Sequence, residues 1–270
     1  MKKLKVISIE KQYTTKGHSP YLVIADDFSR YVLKTPHNQK DLHSIKKEFL
    51  CHLLLKVWKI ASPDIACLKI EDETLAEKIN GSKILGYHFG SQHIANSIDA
   101  QSFFTFNKKP SRNKVLNLDD LFKIAYFDIW TSNGDRKPTN QNLLFCPKNN
   151  SLELMAIDHA ATFESLPFQQ LNASWGANFS FNDSILNISA AKNLIPKKKG
   201  LKAWTQDLLD KAYLCIAETE KNYDATLAQL PKEIRLSETE SKTLRSYLFD
   251  QKRNKSVKEL FLSIVKDIAS

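Results

Sequence analysis

The chain has 270 residues, of which 42% are hydrophobic and 26% charged, and its formal net charge at pH 7 is +9. This composition is typical of an ordinary globular protein with one large or two-lobed domain. No apolar run approaches the roughly 20 residues that cross a bilayer, and the residues before Glu10 are too polar for a secretory signal. The four cysteines form no C-x-x-C pair, which argues against structural zinc and a disulfide framework. We therefore expect a cytoplasmic protein without a membrane partner, while the scattered lysines leave direct nucleic-acid binding uncertain.

Short strands followed by a helix are predicted for the first quarter of the chain. β-Type segments occur at Lys5–Ile9, Tyr21–Ala25 and Arg30–Lys34. Apolar residues then recur at helical spacing from about Asp41 to Ile60, and a strand is predicted at Ile65–Ile70. This order of elements suits a small nucleotide-covering lobe. Residues 71–117 hold three of the seven glycines and are predicted to be an irregular linker, with the adenine-binding connection expected within Glu77–Ser91.

The rest of the chain is predicted to be mainly helical around a β-hairpin. A helix with Asn117 as its N-cap is expected to stop before Gly134. The polar loop Asp135–Asn142 follows, and it leads to short strands at Leu143–Phe145 and Leu152–Ile157. Three further helices are predicted at about residues 203–230, 237–250 and 256–268. The lysines at 197–199 are interpreted as a loop.

The polar loop and the hairpin after it carry the residue types that phosphoryl transfer needs. Asp135, Asn140 and Asp158 provide a carboxylate, an amide five residues later and a second carboxylate just past the hairpin. Phosphoryl transfer requires an aligned acceptor hydroxyl, metal ions on the phosphates and positive charge on the phosphate oxygens. We therefore expect Asp135 to accept the hydroxyl proton, and Asn140 and Asp158 to bind Mg²⁺, which prefers oxygen ligands. Taken singly, each residue also fits a turn or a helix cap, and it is their order that favours catalysis.

A second set of candidate residues lies near the start of the chain. Lys34 ends the apolar strand Y-V-L-K, which resembles the V-A-I-K strand of kinases, and Glu48 falls in the following helix. A Lys34–Glu48 pair would direct the ammonium group at the nucleotide phosphates. The segment Thr14–Pro20 stands where a phosphate-covering loop is expected, although Gly17 is its only glycine. No Walker A sequence occurs, which argues against a P-loop NTPase.

These motifs together resemble the HipA-like bacterial kinases, and in particular their compact kinase domain. The specific part is N-G-D-R-K-P-T-N (Asn133–Asn140), with Asp158 standing 23 residues after Asp135. Y-V-L-K-T, the helix with Glu48, and Gly86–Ser91, which is similar to a G-x-x-F-x-S segment, add support. The resemblance spans roughly residues 10–180, with a compatible helical tail.

The resemblance implies an α+β, bilobal, protein-kinase-like fold with a β-rich N-lobe at 1–90 and a helical C-lobe at 91–270. It implies transfer of the γ-phosphate of ATP, with Mg²⁺, to a Ser or Thr hydroxyl of a protein. Asp135 takes the catalytic role and Asn140 and Asp158 the metal-ligand roles. The roles at the ATP phosphates fall to Lys34, Glu48 and Gly17. Relatives serve as toxins of toxin–antitoxin systems, with translation-related protein substrates and small helix-turn-helix antitoxins. Some autophosphorylate on the loop over ATP, where this chain has Thr14, Thr15 and Ser19.

Two other functions stay open. Phosphatidylinositol kinases also carry a G-D-R-x-x-x-N loop, which Gly134–Asn140 matches, so a lipid or small-molecule kinase is the first alternative. The second is a kinase-shaped scaffold, or pseudokinase, that binds nucleotide or a partner without turnover. The presence of both Asp135 and Asp158 favours turnover, since a scaffold has no physical need for the two carboxylates.

Overall fold

A computed structural model describes residues 1–14, 19–35, 39–79, 86–196 and 198–270 as an α+β protein. The strands are β1 Lys2–Gln12, β2 Tyr21–Ala25, β3 Arg30–Lys34, β4 Ile65–Ile70, β5 Gly86–Gln92, β6 Ile98–Asp99, β7 Leu143–Lys148 and β8 Ser151–Ala156. The helices are α1 Gln39–Trp58, α2 Glu73–Lys78, α3 Ala100–Phe106, α4 Asp120–Trp130, α5 Ser189–Lys192, α6 Lys198–Lys221, α7 Tyr223–Leu227, α8 Glu238–Phe249 and α9 Gln251–Ala269. Short 3-10 turns occupy much of residues 163–187.

The first five strands close into a barrel in the order β1-β2-β3-β5-β4. Strand β1 pairs parallel with β4, and the other four pairs are antiparallel. Alternate positions face the interior, so that Val23, Ala25 and Leu33 are fully buried. Strand β5 passes close to β4 at Gly90, where a Cβ atom would collide with the side chain of Leu68. Glycine at this position therefore allows the barrel to close tightly.

Helix α1 packs against the barrel and against the other helices. Phe49 and Leu53 join a cluster with Phe89 of β5, and the rings of Phe49 and Phe89 meet edge to face at 5.0 Å. Leu54 and Trp58, further along the helix, belong to the main core instead. Burial of each such side chain stabilises the fold by about 1.5–3 kcal/mol. The helix is thus held from two sides, and this position matters for the site that it helps to form.

Helix α4 forms the centre of the main core. Its residues from Leu121 to Trp130 are all buried except Lys123. The indole N–H of Trp130 donates to the carbonyl of Leu248 at 3.0 Å, and the Arg253 guanidinium donates to the carbonyl of Trp130 at 2.7 Å. The polar loop therefore leaves α4 from a firmly held point. Within the described residues, no helix combines the length and apolar character of a membrane span.

Several predicted elements are confirmed and others are wrong. The predicted strands Tyr21–Ala25, Arg30–Lys34 and Ile65–Ile70 are confirmed with the same ends. The irregular linker predicted for residues 71–117 is wrong, because its described part contains α2, β5 and α3. Strand β5 lies between β3 and β4, so its conformation depends on partners that are distant in the chain.

The start of two helices also differs from the prediction. Helix α4 begins at Asp120, while Asn117 hydrogen-bonds both backbone groups of Leu154 instead of capping the helix. Helix α6 begins at Lys198, so Lys198 and Lys199 are helical and the predicted loop at these residues is wrong. At Asn117, hydrogen bonds to the distant Leu154 override the local signal for a helix N-cap. At Lys198 and Lys199, the helical conformation of α6 overrides the local signal for a loop.

Candidate active site

A cluster of ion pairs joins three elements at the end of β3. Lys34 Nζ contacts Glu48 Oε1 of α1 and lies 2.9 Å from Oδ1 of Asp158, which follows β8. Glu48 Oε2 accepts a hydrogen bond from the backbone N–H of His159 at 3.0 Å. The Lys34 and Glu48 side chains are only 14% and 2% exposed, so water screens their attraction little. The structure thus brings Lys34 and Glu48 together and adds Asp158 to the same ammonium group.

The charges of this cluster support one another. Burial alone would lower the pKa of Lys34, but the neighbouring Asp158 and Glu48 carboxylates raise it above its ordinary value. Burial opposes ionisation of Asp158, yet the Lys34 charge holds the pKa of that carboxyl well below its usual range. Burial raises the pKa of Glu48, against the charge of Lys34. Lys34 is therefore a cation and Asp158 an anion at neutral pH.

Backbone hydrogen bonds hold the two residues before Asp158 in place. Asp158 has a left-handed conformation with φ of 57°, which aspartate tolerates better than most residues. Before it, the N–H of Ala156 donates to the carbonyl of Ala61 at 2.9 Å, and the N–H of Ile157 donates to the carbonyl of Asn142 at 3.1 Å. These bonds tie the end of β8 to the segment after α1 and to the polar loop.

The polar loop is organised around a fully buried arginine, Arg136. Its guanidinium forms an ion pair with Asp128 of α4 and donates to the carbonyls of Ile157 at 2.8 Å and Asn142 at 3.3 Å. Burial raises the pKa of Asp128 to about 7, while the Arg136 charge opposes that rise. Arg136 thus connects α4, the loop and the residues before Asp158. No role was predicted for Arg136, and its place directly after Asp135 in the D-R motif is the signal that could have indicated one.

Asn142 is the asparagine of the loop that lies next to both carboxylates. Its Nδ2 donates to Asp135 Oδ2 at 3.0 Å, and the residue lines the same cavity as Asp158. Asn140 instead closes a tight turn, exchanging backbone hydrogen bonds of 2.9 and 3.0 Å with Lys137. Among the described residues, Asn140 does not line the cavity of Asp158 or that of Asp135. Asn142, and not Asn140, is therefore the loop asparagine that lines the cavity with Asp158, while the metal-ligand role of Asn140 stays a prediction.

A cavity of about 310 Å³ lies between the barrel and the polar loop. Its polar end is formed by Lys34, Glu48, Asn142 and Asp158. Its apolar walls include Val32, Ile65, Phe89, Leu144 and Ala156. This volume is at the lower end of the range of about 300–1,000 Å³ that is usual for small-molecule sites. Apolar walls suit a flat ring, and the ionic end suits phosphate groups.

One edge of this cavity is formed by the last residue of β5 and by residues that follow the strand. Gln92, His93, Ile94 and Ser97 line it. The N–H of His93 donates to the carbonyl of Arg30 at 2.9 Å, so this edge is fastened to β3. The adenine-binding connection was expected within Glu77–Ser91, and the cavity edge lies just beyond that range. The sequence offered no signal there, because the strand before it depends on distant partners.

The residues at the polar end fit a bound Mg²⁺ ion. Since Asn142 Nδ2 is bonded to Asp135, Oδ1 is the amide atom left to bind a cation. Together with the ionised carboxylate of Asp158, it offers two oxygen ligands. Mg²⁺ in phosphoryl-transfer sites is held by one or two carboxylates, by substrate phosphates and by waters, so this donor set matches the metal.

Asp135 borders a second cavity, of about 420 Å³. The other lining residues are mostly polar: Ser132, Gly134, Ala161, Glu164, Ser165, Asn178, Phe179, Ser180 and Asp183. Glu164 is held by hydrogen bonds from the Tyr247 hydroxyl at 2.9 Å and from Asn178 Nδ2 at 2.6 Å. The Asn142–Asp135 contact therefore stands between the two cavities. Gly17 and Thr15 of the predicted phosphate-covering loop lie outside the described residues.

Comparison with known proteins identifies a family and two structures that this chain resembles. A sequence model of the HipA-like kinases matches residues 6–174. The structure of the Helicobacter pylori proinflammatory kinase CtkA is similar, with a TM-score of 0.53, 13% identity and 98% of each chain covered. The structure of hydra Fam20 with sugar is also similar, with a TM-score of 0.53, 10% identity, and 98% of this chain and 88% of that chain covered. No curated protein matches the chain.

The fold is one that kinases share, and the sequence match defines the class as phosphotransferase. The chain belongs to the HipA-like kinase family, because the family match covers more than half of its length. The predicted resemblance is thereby confirmed. Membership of a kinase family implies use of ATP and a divalent metal ion.

Proposed function

We propose that the protein is a serine/threonine protein kinase that transfers the γ-phosphate of Mg-ATP to a hydroxyl group of a protein. The hydrogen bond between Asn142 and Asp135 carries this proposal, because it lies between the cavity lined by Lys34 and Asp158 and the cavity beside Asp135. Phosphates in the first cavity would meet Lys34 and Asp158, while a hydroxyl in the second would meet Asp135. In-line phosphoryl transfer requires the γ-phosphate and the acceptor hydroxyl to meet, and the boundary between the two cavities is where they would do so.

Each residue of the site has a role in this proposal. Lys34 binds phosphate oxygens, and Glu48 keeps the ammonium group of Lys34 in position. Mg²⁺, when bound by Asn142 and Asp158, would neutralise charge on the phosphate groups. Asp135 orients the acceptor hydroxyl and takes its proton as the oxygen forms a bond to the γ-phosphorus. The bond from that phosphorus to the bridging oxygen breaks, and ADP leaves.

The proposal includes a two-lobed layout, with the N-lobe at residues 1–90 and the C-lobe at 91–270. Support comes from the barrel and α1 on one side of the cavity and the polar loop on the other. Strand β5 continues to Gln92, so we move the boundary in this proposal from residue 90 to a connection at about residues 92–97. Autophosphorylation at Thr14, Thr15 or Ser19 is a further part of the proposal that rests on the family resemblance. A toxin role with a helix-turn-helix antitoxin rests on the same resemblance.

The lining of the acceptor cavity favours a protein acceptor over a lipid. Hydroxyl, amide and carboxylate groups predominate, and Ala161 and Phe179 are its apolar members. Such groups match the hydrogen-bonding backbone and polar side chains of a polypeptide, whereas an acyl chain would find little apolar surface.

The test is transfer from radiolabelled Mg-ATP to proteins of a bacterial lysate, and separately to phosphatidylinositol vesicles. We expect label on Ser or Thr of proteins, a loss of at least about 100-fold in Asp135→Asn and Asp158→Asn, and full activity in Asp267→Asn. Asp267 is a matched control because it is an exposed acid on α9. Label on lipid alone would contradict the proposal in favour of a lipid kinase, and ATP binding without label on either acceptor would indicate a scaffold.

A further inference from the structure

Helices α6 and α9 pack together and leave a groove of about 410 Å³ on the surface. The floor is apolar, with Leu209 and Val265 buried and Leu201 and Leu262 half-buried. The rim carries Lys202 and Gln206 of α6, and Lys258 and Lys266 of α9. Lining positions recur every three or four residues on both helices, so the groove follows one face of each helix.

The lysines of this groove differ from other lysines on the same helices. Lys211 and Lys255 each have a carboxylate one turn away, Asp207 and Glu259 respectively. By contrast, in the part of the chain that the structure describes, Lys202, Lys258 and Lys266 have no carboxylate within 4.0 Å, and no acidic residue lines the groove. The groove thus combines an apolar floor with an uncompensated positive rim.

A partly exposed aromatic ring lies near Lys258 of the rim. Lys258 Nζ lies 5.8 Å from the centre of the Tyr213 ring, which is 38% exposed. The lining residues of α6 run from Leu201 to Leu209, and over this stretch the helix rises by about 12 Å, at about 1.5 Å per residue. This length corresponds to about two turns of a second helix lying along the groove.

We propose that this groove docks an acidic amphipathic helix of a partner protein. A helix places apolar side chains at i, i+3 or i+4, and i+7 into such a groove. Its flanking Asp and Glu side chains would face Lys202, Lys258 and Lys266, which supply the missing counter-charge. A concave floor accepts a ridge of side chains, whereas binding to a lipid surface uses apolar residues that protrude into the bilayer interface.

Calorimetry with a synthetic probe tests this proposal on the full chain. The probe is a helical peptide of about 14 residues, with leucine at the i, i+4 and i+7 positions and glutamate on both flanks. The variant Lys202→Glu/Lys266→Glu reverses two exposed rim charges. Its matched control is Lys221→Glu/Lys252→Glu, which reverses two exposed lysines on the same two helices outside the groove.

We expect the peptide to bind the wild type and the control double variant with similar affinity, and the groove variant at least about tenfold more weakly. Absence of binding up to about 1 mM peptide, or an equal loss in both double variants, would overturn the proposal. A third outcome would assign the groove to a lipid surface instead. In that case the peptide does not bind, and phosphatidylglycerol vesicles bind the wild type and the control variant but not the groove variant. ATP binding measured on the same samples separates this result from the proposed kinase function, because no groove residue belongs to the candidate active site.

Discussion

Replacing Asn142 by glycine tests whether this residue, and not Asn140, provides the amide that binds the metal ion. Asn142 has a left-handed backbone with φ of 47°, a conformation that glycine adopts without a steric penalty. Asn142→Gly therefore removes the side chain with little backbone strain. Asn140→Gly is the matched control, because it removes the same amide two residues earlier in the same loop.

The size of the expected effect follows from the contacts of Asn142. Its hydrogen bond to the Asp135 carboxylate is worth about 1.5–3 kcal/mol, and we assign the same range to the contact between its Oδ1 atom and the cation. The second loss occurs only when Mg²⁺ is present. Since 1.4 kcal/mol corresponds to about a tenfold change in affinity, Asn142→Gly should weaken Mg-ATP binding by about 10- to 100-fold. Binding of metal-free ATP should change by less than about threefold.

Titration calorimetry of ATP, with Mg²⁺ and with EDTA, measures both affinities for the wild type and the two glycine variants. Urea unfolding of each variant shows whether the fold persists. The reasoning is refuted if Asn140→Gly loses as much Mg²⁺-dependent affinity as Asn142→Gly, or if Asn142→Gly loses none.

Three further predictions concern buried side chains that carry or can take up a charge. Lys34→Met removes the ammonium group that binds the phosphates, so ATP binding should be lost. It also leaves the buried Glu48 without its cation, so the free energy of unfolding should fall by about 3 kcal/mol. An unchanged urea midpoint would contradict this. Arg136→Lys cannot reproduce the forked contacts to Asp128 and two carbonyls, and a similar loss is expected, whereas wild-type stability would count against it. Burial lowers the pKa of His52 from 6.5 to about 4, so stability should be complete above about pH 6.5 and fall by up to about 3 kcal/mol towards pH 4. His52→Gln should remove much of this loss, and its full retention would disprove the assignment.

Much of the candidate site could be predicted because its residues stand at the ends of strands and in a motif of defined spacing. Lys34 is the last residue of an apolar strand, and Asp158 comes two residues after the end of another, so their positions depend on local pattern. The amide could not be chosen in the same way, since P-T-N-Q-N contains both Asn140 and Asn142. No local pattern reveals the tight turn between Lys137 and Asn140 or the buried contact of Arg136 with α4, and both lie in the loop that places Asn142 at the cavity.

The fold shows the same division between local and distant information. Strands β2 and β3 could be predicted because their β-type residues are bounded by turn residues, and the structure gives them the same ends. Strand β5 reads G-Y-H-F-G-S-Q and has no apolar alternation. It becomes a strand because it pairs on both sides within the barrel. The cavity edge at residues 92–97 depends on that strand and was missed with it.

Helix α1 connects two parts of the site through a single carboxylate, that of Glu48. One oxygen of Glu48 contacts Lys34, and the other accepts the N–H of the residue after Asp158. A displacement of α1 by about 3 Å, the length of one hydrogen bond, would break both contacts together and leave a buried carboxylate without a partner. Because Phe49 packs on the barrel and Trp58 in the main core, that displacement requires two interfaces to slide at once. The position of one helix therefore determines whether the phosphate-binding and metal-binding groups are assembled.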